Sequence, residues 1–108
     1  MKSFIDLLSE ANSEIKTISV DELKLISDDP QTQIIDVQSK DVIDNSGMIP
    51  NAIHANRGFL EFYADQREDN PFRKSEINNE KKIIVYCGAG GQGALATKTL
   101  QDMGFKDV

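Results

Sequence analysis

The chain has 108 residues, which suits one domain and leaves no room for a second substrate-binding domain. Hydrophobic residues at 39% with charged residues at 28% exclude disordered and low-complexity classes and permit a modest buried core. Twelve Lys and Arg against eighteen Asp and Glu leave a net charge of −6, so nucleic acid is not expected as a partner, because phosphate-backbone binding needs a basic face. The longest apolar runs are four or five residues, as in Ile83-Ile84-Val85-Tyr86-Cys87, and Met1-Lys2-Ser3-Phe4 lacks a signal-type apolar core. A soluble, unexported chain with no membrane partner, placed in the cytoplasm, is the expectation.

Phe4, Leu8, Ala11 and Ile15 recur at helical spacing with Ile5 and Leu7 beside them, which predicts an amphipathic helix over residues 3 to 14. We assign residues 1–16 to this N-terminal element and 17–108 to the domain proper. Ser19-Val20-Asp21-Glu22 has the form of a capping box and predicts a short helix ending before Asp28-Asp29-Pro30. Residues 33 to 37, Gln33-Ile34-Ile35-Asp36-Val37, are a brief apolar run that suits a parallel strand covered on both faces, with Asp36 at its carboxyl edge. Asp44-Asn45-Ser46-Gly47 reads as a turn, and Ala52-Ile53-His54-Ala55 as a second strand.

Phe59, Leu60, Phe62 and Tyr63 predict a short apolar helix. Residues 65–81 then carry nine charged side chains in seventeen and predict a long solvated connection with one helical turn near Ser75. Lys82 to Cys87 is the clearest strand. Ala94, Leu95, Ala96, Leu100 and Met103 form the apolar face of the clearest helix, which Gly104 stops. Because helical segments and not tight turns separate the three strands, they are expected to lie parallel.

The chemistry concentrates where the last strand meets the last helix. Cys87 is the only cysteine, which excludes an internal disulfide, a Cys-x-x-Cys redox pair and a multi-thiolate zinc site. It opens the loop Cys87-Gly88-Ala89-Gly90-Gly91-Gln92-Gly93, whose composition allows tight turning, free backbone N–H groups and close approach of an anion. The same N–H groups and the positive end of the helix dipole favour a thiolate, hence a nucleophile. The plain alternative is a buried cysteine ending a core strand.

Gly88-Ala89-Gly90-Gly91-Gln92-Gly93 also matches a dinucleotide fingerprint, whose acidic residue at the end of the following strand would fall beyond Val108, with Asp107 at that strand's start; a lone glycine pattern is a weak signal. Cysteine-phosphatase chemistry would need a loop arginine to hold the phosphate, and the next basic side chain after Cys87 is Lys98, well inside the helix.

Several ordered blocks together resemble a single-domain rhodanese, a sulfurtransferase family. They are Ile34-Ile35-Asp36-Val37, the stretch Gly47-Met48-Ile49-Pro50-Asn51-Ala52-Ile53-His54, then Arg57 through Tyr63, Val85-Tyr86-Cys87 with its glycine-rich loop, and Ala94 through Gly104. The resemblance implies an α/β, rhodanese-like fold with a central parallel β-sheet flanked by helices, continuing past the Val108 position with a further strand. It also implies a catalytic Cys87 that takes sulfane sulfur from a small donor anion such as thiosulfate, or from a persulfide, and passes it to cyanide, a thiol or a protein acceptor, without a cofactor or metal.

The loop residues Gly88, Ala89, Gly90, Gly91, Gln92 and Gly93 would bind the donor, with Arg57 either helping to hold it or serving as a surface cation. Asp36 would anchor loop N–H groups from behind. His54, the only histidine, is expected to pack or face solvent. The chain departs from the family pattern at Gln92, where an arginine is usual, at Gly93, often a serine, and at Gln38-Ser39, usually Arg-Glu. Two non-enzymatic alternatives are a rhodanese-fold binding module and a nucleotide-binding fragment.

Overall fold

A computed structural model describes residues 1–88 and 91–108. Its elements in chain order are α1 (Phe4–Glu14), α2 (Val20–Ile26), β1 (Thr32–Asp36), α3 (Lys40–Ser46), β2 (Ile53–His54), a 3-10 turn (Arg57–Phe59), α4 (Leu60–Ala64), β3 (Lys82–Tyr86) and α5 (Gly91–Asp102). The strands form one parallel sheet in the order β2-β1-β3. The α/β class and the parallel arrangement read from the sequence therefore hold.

β1 is the central strand, and Ile34 and Ile35 on its two faces are 4% and 0% exposed, which is why its sequence is a continuous apolar run and not an alternating one. Ile35 lies in register with Ile53 on β2 and Val85 on β3. This row builds the main core together with Leu60 and Ala64 of α4, Ala96 and Leu100 of α5, and Phe105. Asp36, His54 and Tyr86 form the next row and face the opposite way.

The caps explain where helices start. Ser19 Oγ accepts the Glu22 N–H at 3.1 Å and Glu22 Oε1 accepts the Ser19 N–H at 3.3 Å, the capping box expected for α2. Ser3 and Asp6 form a second one at the head of α1. Helix α1 packs along α5, with Ala11 fully buried. Leu8 lies against Gly91 and Glu14 pairs with Lys98 at 3.2 Å, so the two helices run in the same direction.

Four expectations change. Phe4, Ile5 and Leu7 stay exposed at 69%, 63% and 43%, because only the Leu8, Ala11 and Ile15 side of α1 reaches the domain. Asp44 to Ser46 belong to α3, and only Gly47, at φ +77°, turns the chain where a side chain would be strained. Ser75 and Glu76 form a hydrogen-bonded turn, closed from Ile77 N–H to the Lys74 carbonyl at 3.1 Å, and not a helical one. Met103 is 37% exposed, and Thr97 takes a place on the buried side of α5.

The charged connection is anchored to the sheet. The Gln33 side-chain amide donates to the Glu76 carbonyl and accepts the Asn78 N–H at 2.9 Å, holding Ile77 fully buried in the core between them.

Candidate active site

Cys87 follows β3 directly and is half-buried against the core. The Gly93 N–H, in the first turn of α5, donates to Cys87 Sγ at 3.2 Å. This bond requires the helix to come close to the strand end. A Cβ built on Gly93 would lie 3.5 Å from the Cys87 nitrogen and 3.6 Å from the Tyr86 backbone, and Gly93 is buried. An N–H of a helix's first turn, aimed at sulfur, stabilises a thiolate by a charge-assisted bond and by the helix dipole.

Of the other loop residues, Gly88 is exposed, Gly91 abuts Leu8 and Gln92 is exposed on the first turn of α5. Ala89 and Gly90, expected to bind the donor, lie outside the described residues.

Asp36 is completely buried, and its carboxylate accepts the Gln38 N–H at 2.8 Å and Gln38 Nε2 at 3.1 Å. The Tyr86 hydroxyl also hydrogen-bonds to Asp36. Among the described residues its partners thus sit on β1's own end and on β3, one residue before the cysteine. Among the described residues the link between Asp36 and the glycine loop runs through Gln38, while the N–H groups of Ala89 and Gly90, part of the expected anchoring, lie outside the described residues. The Gln38 amide is fixed by Asp36 on its nitrogen side, so Oε1 points outward, 3.3 Å from where a Cβ of Gly88 would be. His54 Nε2 lies 2.8 Å from the Gln38 carbonyl, so the imidazole packs into the same network. Among the described residues no group of side chains could hold a metal ion.

Among the described residues the Arg57 guanidinium bonds to α4 and α5 and to no residue of the loop. Its Nη1 donates to Glu61 Oε1 at 2.9 Å and its Nη2 to Thr99 Oγ1 at 3.0 Å. Lys98 is held between Asp102 at 3.0 Å and Glu14 at 3.2 Å, which keep it charged by raising its pKa.

Tyr86, Glu61 and Thr99 were not singled out from the sequence. Tyr86 Oη accepts the Ile49 N–H at 3.0 Å, 37 residues away, and no local pattern announces such a partner. Burial pushes the Tyr86 hydroxyl up from 10.0 to about 12; the Ile49 N–H works against this, and the hydrogen bond and charge of Asp36 add to it. In the unfolded chain the phenol loses its proton near 10, whereas the folded protein keeps it to about 12. The unfolded state therefore binds fewer protons in that window, and stability falls as pH rises through it. Urea denaturation between pH 10 and 12 should show a steeper loss for the native chain than for Tyr86→Phe. Equal slopes would remove the Tyr86 and Asp36 pairing from the site.

The rhodanese-like domain family matches residues 19–108, and the chain belongs to that family. A solved structure of a protein of unknown function from Rhodopseudomonas palustris CGA009, described as a possible tyrosine phosphatase, is similar at 34% identity with a TM-score of 0.90. The match covers 99% of this chain and 81% of that one. No curated relative matches the chain significantly. Among the described residues no helix is long and apolar enough to cross a membrane.

Proposed function

We propose that this protein is a sulfurtransferase in which Cys87 carries sulfur as a persulfide. The observation that carries the reading is the Gly93 N–H directed at Cys87 Sγ at 3.2 Å, at the head of α5, within a rhodanese-like domain. The Cys87 thiolate attacks the outer sulfur of the donor, and the donor's S–S bond breaks with its electron pair leaving on the departing group. The outer sulfur stays on Cys87. A nucleophilic acceptor, such as cyanide, a small thiol or a protein thiol, then removes that sulfur and regenerates the thiolate. The chemistry needs no cofactor, and a reactive thiolate of this kind suits a reducing compartment such as the cytoplasm.

The phosphatase description of the similar structure does not transfer readily. Phosphoryl transfer needs a cation to cradle the phosphate, and Gln92 supplies a neutral amide in the loop.

Intact-mass measurement after incubation with thiosulfate or polysulfide should show the gain of one sulfur atom, absent in Cys87→Ser. Iodoacetamide should alkylate Cys87 faster than free cysteine at neutral pH. A folded protein that gains no sulfur from either donor, with a cysteine slower than free cysteine, would favour a binding module.

A further inference from the structure

Helix α1 lies ahead of residues 19–108, which match the rhodanese-like domain family, yet it packs on the helix that meets the cysteine. Its contact with the head of α5 is made by one side chain. A Cβ built on Gly91 would lie 3.8 Å from Leu8 Cδ2 and 4.0 Å from Leu8 Cδ1, and among the described residues no other side chain comes within 4 Å of it. These are ordinary contact distances, so Leu8 touches the turn without crowding it. From there α1 follows α5 away from the loop, with Ala11 fully buried, Glu14 paired with Lys98 at 3.2 Å and Ile15 half-buried.

The turn that Leu8 touches is the one that serves the sulfur. Helix α5 begins Gly91-Gln92-Gly93, and the Gly93 N–H donates to Cys87 Sγ at 3.2 Å. Glycine loses more backbone freedom on entering a helix than any other residue and brings no side chain to pack, so two glycines in one turn make the head of α5 the part least able to hold its own shape. It depends on its neighbours. On the inner side Gly93 is fixed by its close approach to the backbone of Tyr86 and Cys87. On the side of α1, Leu8 is the group that bears on Gly91.

We propose that Leu8 is a positioning residue for Cys87: seated on Gly91, it keeps the first turn of α5 helical and the Gly93 N–H directed at the sulfur. A helix that precedes the family's matched residues thereby sets how readily the nucleophile ionises. Leu8 touches neither sulfur nor substrate in this role and acts through Gly91 and Gly93. A first turn that frays lets its N–H groups turn to water, and a thiol without that bond ionises at higher pH. The inference deepens the sulfur-transfer reading and rests on it, since that reading needs the thiolate.

The test is the pH profile of iodoacetamide alkylation of Cys87 in the full chain, with Leu8→Ala beside Ile15→Ala. Ile15 lies on the same side of α1 seven residues on, about 10 Å farther along the helix axis, so its truncation weakens the packing of α1 without touching Gly91. Leu8→Ala should raise the midpoint of the profile by about half a pH unit, a roughly threefold loss of thiolate below it, and Ile15→Ala should leave the midpoint in place. Leu8→Met, which keeps the reach of the side chain, should restore the native profile. Where Leu8→Ala does not fold, Leu8→Val, one methylene shorter, is read in the same way. An unmoved midpoint in the Leu8 variant, or an equal shift in both variants, would overturn the positioning role while sulfur transfer stands. A native Cys87 that alkylates no faster than free cysteine would overturn both.

Discussion

Gln92→Arg should raise thiosulfate turnover about tenfold. Gln92 stands on the first turn of α5, one residue before the N–H that meets Cys87 Sγ, so a guanidinium there would lie at the mouth of the loop. A neutral amide contributes about 0.5–1.5 kcal/mol to an anion and a charged donor about 1.5–3, and each 1.4 kcal/mol of the difference is tenfold. A cation at a helix start is unfavourable by a few tenths of a kcal/mol, which the gain exceeds. The rate is measured with cyanide as acceptor, and Cys87→Ser in the same background should abolish it. An arginine variant that stays folded but forms no persulfide with thiosulfate or polysulfide would show that charge is not what limits the chemistry, and the binding-module reading would then gain.

Ile35→Ala should destabilise the domain by about 2–5 kcal/mol, a large part of the roughly 5–15 kcal/mol that holds a domain of this kind folded. Ile35 has no exposed surface and sits on the central strand, flanked in register by Ile53 and Val85 and covered by the α4 and α5 side of the core. Truncation leaves a cavity with structure on every side, where collapse is hardest. Leu25→Ala is the natural control, since Leu25 is 86% exposed and should change stability by less than about 0.5 kcal/mol. A urea midpoint for Ile35→Ala close to that of the control would contradict the placement of the core.

The parts of the fold that were legible in the sequence are those whose cause is local. The strand, glycine run and helix from Lys82 to Asp102 announce themselves within some twenty residues, and the Ser19 and Glu22 capping box within four. Helix α3 was hidden because only Ile43 among its residues is even half-buried, which leaves no periodicity to read. Ile77 was hidden by the charges around it, and its burial depends on the amide of Gln33, more than forty residues away.

The candidate site divides the same way. Cys87 and its loop could be read directly, whereas the direction of the Arg57 side chain could not. The acid that holds it is one turn along at Glu61, but the deciding hydroxyl, Thr99, is 42 residues distant. Asp36 was rightly placed at a strand end. Its partners depend on register, which sets Tyr86 beside it across the sheet.

The position of β3 at the border of the sheet bears on how firmly the nucleophile is held. β1 is secured by a neighbour on each side, whereas the outer row of β3 is met by the Asp107 carbonyl at Ile83. Backbone with fewer neighbours opens at lower free energy, so local opening of the border strands, β2 and β3, precedes that of β1, and opening of β3 moves Cys87 before it moves Asp36. The geometry at sulfur is then a property of the border strand's residence time in place, and whatever pairs with that border would hold the Gly93 N–H on the thiolate for longer without touching the loop.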